Sequence, residues 1–220
     1  MIAYLFGHTA SGIPIPAYRF ENGSSEVLII GGVHGDEIEG IICAHGILNQ
    51  FHLKLNLTLI PVLNLDGLLV KNRLNSHGVD LNRNLPTNDW DPKAFNERYP
   101  PGPFACSEPE NQALVTYLND KKPSLIISLH SFHHFMMNVN GDCEREAEAM
   151  QNINHYPIEK SIGYPTPGCL GTYAGLERDM PTITYEIGRG LTTSDILTIH
   201  VPAVLVALEK HYEKHHRTNI

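Results

Sequence analysis

The chain has 220 residues, of which 42% are hydrophobic and 18% charged, a balance that suits a buried core and excludes a disordered chain. Its 16 Lys+Arg against 24 Asp+Glu give a net charge of −8, which argues against a nucleic-acid or anionic-membrane binder, since both need a basic face to neutralise phosphates. Apolar runs are strand-sized, well short of the roughly 18 residues of a membrane span. Cys43, Cys106, Cys143 and Cys169 lie far apart with no C-x-x-C pair, so free thiols in a reducing compartment are expected.

In chain order, the stretch from Met1 to His8 lacks the basic start of a secretory signal, and the cytoplasm is the expected location. Val27–Ile30 reads as a strand buried on both faces. It runs into the Gly31-Gly-Val-His-Gly-Asp loop and then a helix from about Asp36 to Gln50, whose apolar residues at 38, 41, 42 and 48 form one stripe. Leu57–Asn64 reads as a second strand, with Pro61 pointing to an edge or a bulge. Asp66 to about Ser107, rich in Asn, Pro, Gly and Asp, reads as a long functional loop. Ser107 and Glu110 have capping-box spacing at the start of the next helix. Ser124–His130 is a third strand, Glu144 to about Asn154 a helix, and Pro181–Gly188 a last strand. Ser194 is expected to cap a final helix interrupted or kinked at Pro202. The alternation predicts an α/β fold: a single domain over residues 1–220, with a mixed, mostly parallel sheet flanked by helices.

The chemistry concentrates at strand ends. The chain has 13 His, and two of them, His34 and His77, are followed three residues later by an acid, Glu37 and Asp80. The spacing alone is weak, but His34 and Glu37 follow a buried strand, where α/β sheets bind ligands. His130 and Glu186 end apolar strands in the same way. Together these residues supply the parts of a catalytic zinc site, with three protein ligands, an open position for water and a carboxylate to take its proton. Taken singly, His130 reads better as a satisfied half-buried His and Glu186 as a surface acid; only the set together favours a site. Arg73, Asn82 and Arg83 crowd one loop, and Arg forks suit carboxylate recognition or a developing oxyanion, although taken alone the stretch reads at least as well as a solvated loop with some Arg. His211 and His215, at i, i+4 spacing, read as a helix surface, and His133 and His134 as neighbours of the site rather than further ligands. Met136–Val139 reads as core.

The blocks His34-Gly-Asp-Glu37, Gly78-Val-Asp-Leu-Asn-Arg-Asn, Ser128-Leu-His130-Ser and Thr184-Tyr-Glu186 occur in the order of the zinc metallocarboxypeptidase (funnelin) family, which the chain resembles from about Gly7 to Gly188. The short length, Asn64-Leu-Asp-Gly67 and the Gly163–Tyr173 stretch look most like the cytoplasmic murein peptide amidases of that family, which cleave the γ-D-glutamyl to meso-diaminopimelate bond of the murein tripeptide. The resemblance implies one Zn2+ per chain on His34, Glu37 and His130, with Asp80 orienting His34. It implies Glu186 as general base, Arg73 on the scissile carbonyl, and Asn82 with Arg83 on the free carboxylate of a small peptide substrate. The mobile Tyr of the digestive members has two candidates, Tyr164 and Tyr173, and Cys169 stands where Ser is expected in the murein amidases. Two other readings remain: an amidohydrolase of N-acyl amino acids of the desuccinylase and aspartoacylase type, and a zinc-containing module that binds peptide C-termini without cleaving them.

Overall fold

A computed structural model describes residues 1–94 and 96–216. One eight-stranded sheet organises the chain: β1 (Ile2–His8), β2 (Pro14–Glu21), β3 (Glu26–Ile30), β4 (Asn56–Ile60), β5 (Leu125–Phe132), β6 (Met136–Asn140), β7 (Ile158–Glu159) and β8 (Thr182–Gly188), in the order β1-β2-β4-β3-β5-β8-β6-β7. The centre, β4-β3-β5-β8, is parallel; β1 and β2 add an antiparallel hairpin at one side, and β6 pairs antiparallel with β8 at the other. This is the mixed, mostly parallel sheet expected.

Strand alternation divides the interior in two. Val27, Ile29, Leu125, Ile127, Leu129, Ile183, Tyr185 and Ile187 point into one core, covered by α1 (Ile38–Gln50), α4 (Glu144–Asn154) and α6 (Val201–His216). Leu28, Ile30 and Ile126 point the other way, against α3 (Pro109–Lys121) and the 171–176 turn. Burial on both faces is why β3 and β5 read as continuous apolar runs. Along β5 and β8 that second face turns polar toward the strand ends, carrying Ser128 and His130, then Thr184 and Glu186. At Gly40 a Cβ would stand 2.7 Å from the Leu129 carbonyl oxygen, so glycine lets α1 lie close against β5 just below the site. Gly32 takes a left-handed φ of 56° as the chain leaves β3.

Several local expectations are corrected. Pro61 lies just past β4, which is internal, between β2 and β3; proline marks the end of the strand, where no ladder hydrogen bond is needed. The long segment after β4 holds a short helix, α2 (Leu65–Val70), and a one-turn 3-10 helix at Leu81–Arg83. Ser107 forms no capping box: the helix begins after Glu108 with Pro109 in its first turn, and the Ser107 hydroxyl donates to Glu108 Oε1 instead. The last helical stretch is capped by Thr192, not Ser194, in a reciprocal box with Asp195. It opens as α5 (Thr193–Asp195), widens through Ile196–His200, and continues as α6, with Pro202 in the first turn of that last segment. The regular α-helix is thus interrupted by the wide turn just before Pro202 and resumes at Val201, close to where the sequence placed the interruption. His211 is no surface residue: it is 1% exposed and links Glu146 Oε1 (3.0 Å) on α4 to the Ser124 hydroxyl (2.8 Å) at the start of β5. It ties two helices to the end of the sheet remote from His130.

Candidate metal centre

The polar ends of β5 and β8 meet the loop after β3. His130 and Glu186 are directly paired in the parallel register, and His34 and Glu37 come from the turn between β3 and α1. The side chains of His34, Glu37 and His130 are 3%, 4% and 2% exposed, and one donor atom from each lies within 4.8 Å of the others. His34 Nδ1 is 2.9 Å from Glu37 Oε1, His130 Nδ1 is 2.9 Å from Glu37 Oε2, and the two Nδ1 atoms are 3.2 Å apart. Burial alone would raise the Glu37 carboxyl, but the two imidazoles hold it well below the usual carboxylate range.

The far side of each ring is also engaged. His34 Nε2 is 3.1 Å from Asp80 Oδ1, and His130 Nε2 is 3.0 Å from the Ser128 hydroxyl. With the outer nitrogens held by hydrogen-bond partners, both Nδ1 lone pairs converge with a carboxylate, a donor set of the kind catalytic zinc uses. The residues therefore fit a divalent metal such as zinc. Asp80 is fully buried; burial would raise its carboxyl, yet His34 and Arg73 drive it far down, so it is an acceptor throughout the ordinary pH range.

The rest of the cavity is a wall of arginines and aromatics contributed by the long loop. Arg73 donates from Nε to Asp80 Oδ2 (2.9 Å) and approaches Glu37 Oε1 at 3.4 Å, so its guanidinium stands beside the three candidate ligands. Asn82 Oδ1 accepts from the Leu170 backbone N–H (2.9 Å), which leaves the amide NH2 as the end that can meet a ligand. Arg83 donates to the Asn82 carbonyl (2.6 Å), and its buried Nε has no hydrogen-bond partner among the described residues. Tyr99 lies under both guanidiniums, 4.9 Å from that of Arg73 and 5.1 Å from that of Arg83, and stacks on Tyr164 with ring centroids 6.0 Å apart. Across the cavity, burial pushes Glu186 up to about 7, with Glu37 adding to the rise while His130, Arg73 and Arg83 pull it down.

All eight residues singled out from the sequence thus meet at one place. Of the two tyrosine candidates, Tyr164 lines the cavity, whereas Tyr173 is 2% exposed, with its ring against the Arg178 guanidinium. Cys169 lines the cavity, accepting from Thr166 and the Thr172 N–H. His133 is on the cavity wall and His134 packs against Phe132; among the described residues neither joins the ligand group. Sequence reasoning missed Ser128, Thr184, Asn138, Tyr99 and Arg189. Ser128 and Thr184 precede His130 and Glu186 by two residues, so period-2 alternation places them on the same face. Met137 and Val139 are core as expected, but Asn138 between them faces the cavity. Tyr99 and Arg189 carry no comparable local signal.

Residues 2–167 match the family model described as zinc carboxypeptidase. Murein peptide amidase A of Escherichia coli K12 is 31% identical over 197 residues, covering 83% of this chain and 77% of that protein. Its namesake in Vibrio campbellii is 29% identical over 198 residues, with the same coverage of 83% and 77%. Among solved structures, the murein-tripeptide amidase of Escherichia coli O157 superposes with a TM-score of 0.79 at 24% identity, covering 93% of this chain and 91% of that one. Carboxypeptidase A of Helicoverpa armigera gives 0.83 at 15% identity, covering 99% and 69%. At these identities the structural likeness speaks for the fold.

Proposed function

The chain belongs to the zinc carboxypeptidase family, and from that premise we propose that it hydrolyses the amide bond to the C-terminal residue of a small peptide, with the γ-D-glutamyl to meso-diaminopimelate bond of the murein tripeptide as substrate. The observation that supports this reading is the pairing of His130 with Glu186 across β5 and β8, which puts the Glu186 carboxylate beside the three convergent side chains His34, Glu37 and His130. The choice of peptide is supported by the relatives named murein peptide amidase A.

His34, Glu37 and His130 would hold one zinc ion, which supplies a bound water of pKa near 7 and a positive charge for the carbonyl oxygen. Glu186 takes the proton of the attacking water and later gives it to the leaving amine. Burial raises the Glu186 carboxyl above the usual carboxylate range, the direction that a group taking and then returning a proton needs. Arg73 donates to the scissile carbonyl oxygen as negative charge develops there. The Arg83 fork and the Asn82 amide hold the terminal carboxylate and so fix which bond faces Glu186. Asp80 keeps the His34 proton on Nε2 and the Arg73 guanidinium in place, through its two oxygens.

Mass spectrometry of zinc-loaded protein incubated with L-Ala-γ-D-Glu-meso-diaminopimelate tests the reading. Release of free diaminopimelate is expected. An intact tripeptide alongside cleavage of N-acyl amino acids would move the substrate to the acylase type. Zinc binding with no hydrolysis of any of them would favour a binding module.

A further inference from the structure

Among the described residues, Arg73, Arg83, Arg98 and Arg189, four of the eight arginines of the chain, line the cavity, and no lysine does. In a chain of net charge −8 this gathers fixed positive charge at one place. Hydrolysis as described uses two of these residues, and Arg98 stands exposed. Arg189, three residues after Glu186, has no part in it.

Its surroundings differ from those of Arg83. Arg83 lies in the aromatic loop wall with Tyr99 and Tyr164, whereas Arg189 is tied to the sheet end and the β3–α1 turn. Arg189 Nε donates to the Ser131 carbonyl at 3.1 Å, and Nη2 donates to Asp36 Oδ2 at 3.0 Å while passing 3.7 Å from Glu37 Oε1. These bonds use two of the five guanidinium hydrogens and leave three, on a side chain that lines the cavity, for a ligand. The side chain is 24% exposed, so it is accessible but partly shielded, a setting where an Arg–carboxylate contact is stronger than at an open surface. If the terminal carboxylate sits on the loop wall at Arg83 and the scissile carbonyl beside Glu186, what reaches Arg189 is the acyl part of the substrate.

We infer that Arg189, held by Asp36 and the Ser131 carbonyl, binds a second carboxylate on the acyl side of the scissile bond. The enzyme then selects peptides joined through a side-chain carboxyl, whose α-carboxylate stays free. An ordinary α-linked peptide has no anion at that position. This deepens the reading of the preceding subsection and rests on it.

Calorimetry on zinc-loaded Glu186→Gln protein tests the assignment with two ligands, L-Ala-γ-D-Glu-meso-diaminopimelate and the same peptide with the glutamyl α-carboxylate converted to a carboxamide. The free acid is expected to bind about tenfold or more tightly than the amide. Adding Arg189→Gln should collapse that ratio toward one by weakening the acid alone, and Arg189→Lys should restore part of it. Equal affinities in the presence of Arg189, or an Arg189→Gln loss shared equally by both ligands, would overturn the inference and leave Arg189 as a strut for Asp36 and Ser131. The same acid and amide given to wild-type protein separate the two readings. Cleavage without discrimination sinks the role of Arg189 alone, and discrimination without cleavage sinks the proposed reaction alone.

Discussion

The two halves of the site are built by different physics. The metal-facing half is carried by the ends of β5 and β8 and by the turn after β3, where ladder register and strand alternation dictate which residues meet. The half proposed to face the substrate is carried by residues 72–94 and 96–100, which have little regular structure and are held by buried polar contacts. Asn84 illustrates this: fully buried, it donates to the Pro101 and Phe104 carbonyls and the Ser107 hydroxyl, and accepts from the Glu108 N–H and the Asn111 amide. A site with one half rigid by hydrogen-bond ladder and the other by side-chain network should fail in two separable ways.

The largest effect should come from the strand-borne half. Glu186→Gln is expected to lower kcat by about 1000-fold or more while zinc stays bound, read by steady-state kinetics alongside metal analysis. His130→Ala should remove zinc binding itself, because two ligands cannot replace three. Asp80→Asn joins the halves, since its carboxylate touches both His34 and Arg73; it should weaken zinc affinity about 10- to 100-fold and depress activity together. On the loop side, Arg83→Ala should raise KM about tenfold or more with a smaller change in kcat, since a terminal carboxylate is held in both ground and transition states. Asn84→Ala should cost about 1–3 kcal/mol of stability and raise KM, with zinc affinity unchanged. Equal loss of zinc binding in the Arg83 and Asn84 variants would break the division between the halves.

The smallest effect tests packing away from both. Burial lowers His200 from 6.5 to about 4, with the ring against the Tyr185 hydroxyl. The unfolded chain therefore binds a proton between those values that the folded chain refuses. Stability should be intact above pH 6.5 and fall as pH drops toward 4, and a His200→Gln variant should show a shallower decline in thermal midpoint over that window.

The same division explains what could be read in advance. His130 and Glu186 stood out because each ends an apolar strand, and His34 and Glu37 because they follow one; the family resemblance added roles for Arg73, Asp80, Asn82 and Arg83. The central strands were legible because both faces are buried. The β1–β2 hairpin was not: its first strand is largely exposed, at the edge of the sheet, and lacks an apolar alternation. Helix starts were misplaced where side chains found other partners, as Ser107 did with Glu108. Tyr99 and Arg189 escaped notice because tertiary contacts alone bring them to the cavity. His211 was misread because its partners, Ser124 and Glu146, are 87 and 65 residues away in sequence.

The most direct test of the central claim, that a zinc site at the strand ends works with Glu186 to cleave a peptide, is zinc titration of wild type and Glu186→Gln by calorimetry, with turnover of the murein tripeptide followed on the same samples. The account predicts one zinc per chain at comparable affinity in both proteins, and release of diaminopimelate by wild type only. Near-equal turnover by the two proteins, or zinc binding that survives His130→Ala unchanged, would contradict it.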